Sequence, residues 1–555
     1  MENKAEEGRP GDLPPKAAEF IGRVVGRMGW RRKARAEVEA ELTVHFEDEL
    51  RDCADAQERE QRVLRLIEGF GDARLLAVLC RRGKKRCRPL WAKVVIRSLQ
   101  TAGVFAALLS LYTVWFVNGK PSVTVDYLAL LNQMSRPDVS SEDNAWPYYQ
   151  RAMSLTIPDY DLKQIPAWQH PDYPEHREFA RLTEDVQHAI AKWIDVNRQA
   201  WGQFVLAGSK PYCAESYHCK SEAKDAMLLS IRLPELWALP NLARVGVWSA
   251  RLHAQQGRTR ETLEDCLTLA RAGWHWQHRA TFVEQNIGTL LSRKAHEEIL
   301  RMVETRELSA AELAQWQRQV AGAYPQGYPL IDVRAEHLVF LDIVQHVFTD
   351  RGLGGGHLVP SISARLLEEE TPSAQPKLPD RPIVQVTRSM LHAGREETIA
   401  AADRVFDRQR SLLGPYEKRA RQVPTVKKML QSLPAHRYAL VRTLAPEMDR
   451  VMERGFWGKT LHEATLTVLA LQRHRQEKGS YPATLEALKQ AGYLDVLPAD
   501  PYSAQPLSYK VANGSFVLYS VGPDFHDDGG QSGRDQDGRP KAWADKGDTV
   551  FWPVP

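Results

Sequence analysis

Cysteine is scarce in this chain, and neither sign of charge is in strong excess. Six cysteines in 555 residues are too few for a disulfide scaffold, and a net charge of +4 gives no basis for nucleic-acid binding. Hydrophobic residues make up 43% and charged residues 26%, the mixture of an ordinary globular protein. This composition excludes bulk disorder, collagen and a polytopic membrane protein, and at roughly 150 residues per domain it predicts several folding units.

Common catalytic motifs are also missing. The sequence contains no H-E-x-x-H zinc motif, no G-x-S-x-G nucleophile elbow and no G-x-x-x-x-G-K-[ST] phosphate loop. The pairs His296-Glu297 and His462-Glu463 lack a second histidine one helical turn later. These absences favour a binding or scaffold protein over an enzyme. Scattered carboxylates leave an acid–base site open until their positions are known.

One long apolar run is present. Residues 98–117 contain no charged side chain, and as a helix they span about 30 Å at ~1.5 Å per residue, the thickness of a hydrocarbon core. Apolar residues surround this helix instead of forming one stripe, which favours lipid over the interior of a soluble domain. The run therefore predicts a single transmembrane helix, with a buried core helix as the alternative.

The distribution of charge predicts the orientation of that helix. Residues 1–93 contain 21 Lys and Arg against 17 Asp and Glu, while the rest of the chain is balanced. Six basic residues form a cluster before the apolar run: Arg81, Arg82, Lys84, Lys85, Arg86 and Arg88. The positive-inside rule places residues 1–93 in the cytoplasm and 118–555 outside. Without an earlier cleavable signal, the run is expected to be the uncleaved signal anchor of a single-pass protein of the cytoplasmic membrane.

The N-terminal region has two parts. Residues 1–15 are rich in Gly, Pro and Glu and are predicted to be disordered, whereas residues 16–93 predict a small cytoplasmic helical domain. The stretches EVEAELTVHFEDEL (37–50) and FGDARLLA (70–77) resemble the helical signalling, or permease-prefix, domain of bacterial membrane proteins, although Ala73 replaces the usual proline. This resemblance implies a module that binds protein partners; a helical spacer is the alternative.

The middle region resembles no family. Residues 118–455 show helical periodicity broken by loops and predict a large helical extracytoplasmic domain. Cys213 and Cys219 fall in this region, where oxidation to a disulfide is open. Zinc binding by these cysteines with His218 is a further alternative, without an evident fourth ligand.

The C-terminal region, residues 456–555, predicts a small α+β module. The runs LSYKVA (507–512) and SFVLYSV (515–521) are joined by Asn513-Gly514, which favours a type I′ turn, so they are expected to form a β-hairpin. A stretch rich in Asp and Gly follows, VGPDFHDDGGQSGRDQDG (521–538).

The motifs of this module follow an order that resembles the globular domain of the major pseudopilin of type II secretion. The order is Y-P-x-T-L-x-x-L, L-P-x-D-P-Y, a tyrosine-bearing hairpin, Y-S-x-G-x-D and D-x-D. In that family the Gly/Asp loop binds calcium, and the resemblance implies Asp524, Asp535 and Asp537 as Ca²⁺ ligands, with Asp527 and Asp528 as alternative donors. Calcium takes roughly six to eight oxygen ligands, which such a loop supplies. A solvated acidic loop without metal is the alternative.

The chain departs from pseudopilins before this module. It has no short basic leader followed by G-F-T-L-x-E, so assembly into a pilus is not expected. The sequence as a whole predicts a mainly α, membrane-anchored extracytoplasmic binding, signalling or scaffold protein with a calcium-stabilised C-terminal module. Protein partners are expected for the N-terminal domain and the ectodomain, and nucleic acid is not. The alternatives are an extracytoplasmic enzyme with its site in the helical domain, and a component associated with a secretion system.

Overall fold

The computed structural model describes residues 13–29, 32–86, 90–135, 140–158, 179–220, 226–234, 236–363, 382–414, 425–512, 514–534 and 546–554. The chain divides into two compact units, Met1–Trp115 and Phe116–Pro555. Its described residues are mainly helical and include a three-stranded antiparallel sheet, which confirms the predicted fold class at this level. Most of the segment predicted to be disordered, residues 1–12, lies outside the described residues.

The described part of the first unit is helical. It contains α1 (Pro15–Arg27), α2 (Arg32–Glu49), α3 (Ala56–Phe70), α4 (Ala73–Arg86) and most of α5 (Leu90–Val117). The rings of Phe20, Phe46 and Phe70 meet in its core, with centroids 5.7–6.3 Å apart. Gly71 ends α3 at a φ of +73°, and the Asp72 carboxylate accepts the Arg74 N–H at 2.8 Å where α4 begins.

Helix α5 contains the predicted apolar run. Its part Val94–Val117 has a mean hydropathy of 1.7 and is exposed except near its end, where Phe116 is buried. Within the described residues it is the one helix long and apolar enough to cross a membrane. The hydroxyls of Thr101, Ser110 and Thr113 donate to main-chain carbonyls four residues earlier. Such bonds satisfy polar side chains without water, so they suit a helix in lipid. The membrane and the orientation remain predictions.

The second unit contains fifteen further α-helices in its described residues. They are α6 (Tyr127–Ser135), α7 (Trp146–Leu155), α8 (Glu184–Val196), α9 (Arg198–Gly208), α10 (Ala238–Gln255), α11 (Thr259–Gln277), α12 (Phe282–Thr305), α13 (Ala310–Gly322), α14 (Arg334–Val347), α15 (Pro382–Leu391), α16 (Arg395–Leu412), α17 (Val426–Ser432), α18 (Ala439–Leu444), α19 (Asp449–Lys478) and α20 (Leu485–Gln490). Helices α11 and α12 approach closely at two glycines. A Cβ on Gly273 would lie 2.1 Å from the Ser292 Oγ, and one on Gly288 would lie 2.5 Å from the Gln277 nitrogen.

The small sheet consists of β1 (Ser508–Ala512), β2 (Ser515–Ser520) and β3 (Thr549–Trp552), in that spatial order. The predicted hairpin is confirmed, because β1 and β2 pair antiparallel with Ala512 opposite Ser515. Asn513 of the turn lies outside the described residues. Strand β3 was not predicted. The sheet and α19 contribute to one core with α11, α12 and α13, and the predicted boundary at residue 455 falls within α19.

Candidate functional site: a cleft in the second unit

A cleft of about 920 Å³ opens in the second unit. Its walls come from distant parts of the chain: residues 123–128, helix α7, the stretch 215–219, parts of 226–234, and the last turns of α14. A volume of this size accommodates a drug-sized ligand, for which pockets of about 300–1,000 Å³ are usual. The sequence predicted an enzyme site in this region only as an alternative; of the lining residues it named only His218 and Cys219, as alternative zinc ligands.

Residues 123–128 form one wall of the cleft, and they begin six residues after Val117, the last residue of α5. Gln345 on α14 holds this wall: its Oε1 accepts the N–H groups of Thr124 and Val125, both at 3.1 Å, and its Nε2 donates to the Val125 carbonyl at 2.9 Å. At the end of α5, His357 Nε2 donates to the Phe116 carbonyl at 2.9 Å, and the two rings stack at 4.1 Å. Both ends of the segment 116–125 are therefore fixed to the body of the second unit.

A buried ion pair borders the cleft. Arg279 Nε donates to Glu284 at 3.0 Å, and the Tyr217 hydroxyl donates to the other carboxylate oxygen at 2.5 Å. The guanidinium also lies over the rings of Tyr217, at 4.6 Å, and Trp146, at 5.2 Å. Burial and the neighbouring Glu284 carboxylate raise the pKa of Tyr217. Arg279 is thus matched by Glu284 and enclosed by aromatic rings, so its charge is not offered to a ligand.

Asp342 and His346 form a second polar pair, on α14. The Asp342 carboxylate accepts the Leu228 N–H at 2.7 Å and the Gln345 amide at 2.9 Å. His346 Nδ1 lies 2.8 Å from the Asp342 carbonyl, and because a carbonyl only accepts, Nδ1 carries the proton. In the neutral ring Nε2 is then an acceptor; it is buried and has no hydrogen-bond partner among the described residues. A buried polar atom without a partner costs about 1–3 kcal/mol, which a donor on a ligand would recover.

Cys219 also lines the cleft. Its Sγ donates to the Met227 carbonyl at 3.5 Å. Burial raises the pKa of this thiol, and the carboxylates of Asp342 and Asp126 raise it further. A nucleophilic cysteine needs the opposite shift, so Cys219 has the character of a thiol and not of a reactive thiolate.

The other cysteine of the PYCAESYHC stretch, Cys213, is buried, and burial raises its pKa to about 12. Cys213 and Cys219 are both free thiols, so the disulfide that the sequence left open is not formed in this structure. Within the described ranges no group of three or more His, Cys, Asp and Glu side chains is placed to hold a metal, which gives the zinc alternative with His218 no support.

The charges that remain around the cleft are mostly negative. The charge of Arg279 is balanced by Glu284. The other charged side chains in the described lining of the cleft are three acids, Asp126, Glu215 and Asp342, and one base, Arg232. The lining also has apolar members, including Val123, Leu228 and Leu233. The cleft therefore combines an apolar surface with a net negative charge.

The residues predicted to bind calcium follow β2 in the sequence, and the structure describes three of the five. The Asp524 carboxylate accepts the N–H groups of His526 and Gly547, both at 3.0 Å. Asp527 Oδ1 accepts the Tyr519 hydroxyl and the Gly529 N–H, both at 2.9 Å. Asp528 Oδ1 lies 3.2 Å from the His526 ring nitrogen. The loop is thus organised by hydrogen bonds to its carboxylates.

The other two predicted ligands, Asp535 and Asp537, lie outside the described residues. The three described carboxylates do not by themselves form a group placed to hold a metal ion, and the calcium set remains a prediction. A carboxylate that the sequence analysis missed, Asp548, is buried at the start of β3. It accepts the Asp528 N–H at 3.2 Å and the Gly530 N–H at 2.6 Å, and burial raises its pKa. Asp548 stands between Gly547 and Thr549 in the sequence and belongs to no motif that would have identified it.

Comparisons of the chain with protein-family models, with curated proteins and with solved structures find no match. The resemblances to a permease-prefix domain and to a pseudopilin domain remain predictions from short motifs. The function is therefore inferred from the cleft and from the apolar helix α5, which precedes residues 123–128 of the cleft in the sequence.

Proposed function

We propose that the protein is a single-pass, membrane-anchored binding protein that holds a ligand in the cleft of its second unit, outside the cytoplasm. The observation that carries this proposal is the position of the wall: residues 123–128 line the cleft and begin six residues after Val117, the last residue of α5. A ligand that contacts this wall acts on the chain that leads into the membrane. The first unit, on the other side of α5 in the sequence, is then the part that passes the signal to a protein partner.

Support for the anchor comes from α5 itself. Its apolar length is exposed and free of acidic residues, and the basic cluster that precedes it favours a cytoplasmic first unit. The second unit, with the cleft, lies outside in this arrangement.

Support for the ligand class comes from the lining. Asp126, Glu215 and Asp342 attract a cation, and His346 Nε2, which has no hydrogen-bond partner among the described residues, is an acceptor for a donor on the ligand. The apolar side chains suit a hydrocarbon or aromatic body. The ligand that combines these features is an amine: protonated, able to donate hydrogen bonds, and attached to an apolar group.

An enzyme in the same cleft is the second candidate. A histidine whose Nδ1–H is held by a neighbouring group and whose Nε2 accepts is the arrangement of a general base, and His346 has it. The raised pKa of Cys219 argues against this thiol as the accompanying nucleophile. Binding alone is therefore the function that the geometry supports better.

Calcium binding by the C-terminal module is proposed alongside. Asp524, Asp527 and Asp528 are close together in the sequence after β2, and Gly529 and Gly530, which follow them, adopt φ values of +76° and +90°. Such glycines allow main-chain carbonyls to turn toward an ion. The proposed ligands are Asp524, Asp535 and Asp537, with Asp527 and Asp528 as alternative donors. The ion would neutralise the mutual repulsion of the carboxylates in this stretch and stabilise the module.

The test of the binding proposal uses a pair of probes that differ in charge. Tryptamine and indole-3-acetate share an indole ring, but one is a cation and the other an anion. We expect tryptamine to raise the melting temperature of the full-length protein and indole-3-acetate to leave it unchanged. Ser216→Trp places a bulky ring in the lining and should abolish the shift, whereas Ala311→Trp, on the exposed face of α13, should retain it.

Two results would overturn the binding proposal. One is equal stabilisation by both probes, because the carboxylates of the lining would then play no part. The other is a tryptamine shift that Ser216→Trp leaves intact, because the amine would then bind elsewhere.

A further inference from the structure

One face of α4 exposes large apolar side chains. Ala73 and Ala77 pack inward, whereas Leu75, Val78 and Leu79 on the opposite side are 62%, 41% and 54% exposed. Spacings of three and four residues place these three side chains together on one face of the helix. Single exposed apolar residues are common, but a contiguous group of this kind marks a contact surface.

Arginines flank this face of α4. Arg74, Arg81 and Arg82 are exposed, and none of them forms an ion pair with a residue that the structure describes. Lys84, which lies toward α2, is paired instead with Glu37 at 3.3 Å and Glu41 at 2.7 Å. Lys84, which faces the protein, is therefore neutralised by acids, whereas the arginines beside the apolar residues of α4 are not paired with described residues.

The chain keeps this face close to α5. Four peptide steps join Arg86, the end of α4, to Leu90, the start of α5, and at about 3.6 Å per residue they extend no further than ~14 Å. A bilayer that surrounds the apolar part of α5 is thus within reach of α4. A helix that presents apolar side chains flanked by arginines is complementary to an anionic lipid surface, where the apolar groups enter the interface and the arginines meet phosphate groups.

We propose that the α4 face, formed by Leu75, Val78 and Leu79 with Arg74, Arg81 and Arg82, binds the surface of an anionic phospholipid bilayer. The proposal rests on the insertion of α5, which belongs to the proposed function, and is independent of the cleft and its ligand. Docking of this face orients the first unit on the membrane and leaves the acidic surface of α2 available to a protein partner. Each arginine contributes about fivefold to the ratio of docked to undocked states.

The test uses the full-length chain in phospholipid vesicles with a photo-cross-linking residue. Leu79→p-benzoylphenylalanine reports on the α4 face. Val44→p-benzoylphenylalanine is the matched control, because Val44 is 53% exposed on α2 but has acidic neighbours, including Glu41, Glu47 and Asp48. Vesicles of phosphatidylcholine alone are compared with vesicles that also contain phosphatidylglycerol, and the adducts are identified by mass.

We expect the probe at residue 79 to form phospholipid adducts at least fivefold more in vesicles with phosphatidylglycerol, and the probe at residue 44 to form few in either. Replacing Arg74, Arg81 and Arg82 with Gln should reduce the residue-79 adducts to the phosphatidylcholine level. Cross-linked dimers of the chain through residue 79 would show that a second copy covers the face and would overturn the proposal. Equal adducts with both lipids would overturn it as well.

Flotation of the vesicles separates this proposal from the anchor. A chain that floats with vesicles of both compositions but shows no lipid adducts at residue 79 refutes docking by α4 and leaves the insertion of α5 standing. A chain that does not float with either kind of vesicle refutes the insertion, and the proposal for α4 falls with it.

Discussion

Gln345 binds Val125 through both ends of its side-chain amide: Oε1 accepts the Val125 N–H at 3.1 Å, and Nε2 donates to the Val125 carbonyl at 2.9 Å. Nε2 also donates to Asp342 at 2.9 Å, and Asp342 holds His346 through its main-chain carbonyl. The wall that follows α5 and the polar pair of the cleft therefore belong to one hydrogen-bond network. A ligand bound at Asp342 and His346 acts on a group directly bonded to the segment that leads to α5.

Gln345→Met tests this connection, because methionine keeps the length of the side chain and removes its hydrogen bonds. We expect the amides of Thr124 and Val125 to lose protection in hydrogen exchange and the free energy of unfolding to fall by about 1–3 kcal/mol. Gln490→Met, at an exposed position on α20, should change neither. Unchanged exchange at residues 124 and 125 in Gln345→Met would show that the wall does not depend on this amide.

The buried Arg279–Glu284 pair should be costly to break from one side. Arg279→Met leaves the Glu284 carboxylate buried without its cation, and we expect a loss of about 3–5 kcal/mol in the free energy of unfolding. Adding Glu284→Gln removes the unpaired charge while keeping an acceptor for Tyr217, so the double variant should be more stable than Arg279→Met. Denaturant unfolding of the native chain, Arg279→Met and the double variant measures these differences. A double variant that is less stable than Arg279→Met would contradict the role of Glu284 as the unpaired buried charge.

Glu336 should make the protein less stable as the pH rises. Burial raises the pKa of this carboxyl from an ordinary value of 4.5 to about 7. A hydrogen bond from the Phe282 N–H acts in the opposite direction and lowers the pKa, but burial is the larger effect. Because the folded state keeps the proton to a higher pH than the unfolded state, the stabilisation is complete below pH 4.5 and is lost as the pH rises toward 7. Glu336→Gln should therefore gain stability relative to the native chain by up to about 3 kcal/mol over that interval.

The measurement for Glu336 is the difference in melting temperature between the two proteins at several pH values. The comparison cancels the buried histidines, such as His462, whose pKa burial lowers to about 3 and which act in the opposite direction. A difference that does not change with pH would show that Glu336 does not titrate in this range.

Calcium should raise the melting temperature of the full-length protein relative to a chelator. At a free concentration about 100 times its dissociation constant, an ion that binds only the folded form adds ~2.7 kcal/mol. The double substitution Asp535→Asn with Asp537→Asn should abolish the shift, and Asp495→Asn, at an exposed position of the same module, should retain it. Equal midpoints with calcium and chelator would discard the site, while a shift that survives the double substitution would move the ligands to Asp527 and Asp528.

Local signals in the sequence predicted the elements that local chemistry determines. Asn513-Gly514 identified the hairpin, and the uncharged run identified the exposed helix α5. Strand β3 was not predicted, because all four of its residues are buried and it lacks the alternation of apolar and polar residues by which a strand is recognised.

The cleft escaped for a different reason. Its central contact joins Thr124 to Gln345, 221 residues away in the sequence, and no motif links positions so far apart. Asp342 and His346 stand four residues apart on α14, but that spacing alone did not distinguish them from other polar pairs on helices. Only the folded chain brings them to residues 123–128.

Hydrogen exchange of residues 116–128, in the full-length chain reconstituted in bilayers, tests the central claim most directly. With tryptamine present we expect slower exchange at Thr124 and Val125 in the native chain and in Ala311→Trp, and no change in Ser216→Trp. That result would show that a ligand in the cleft acts on the chain that leads into the membrane. Tryptamine binding that leaves the exchange of residues 116–128 unchanged would contradict it.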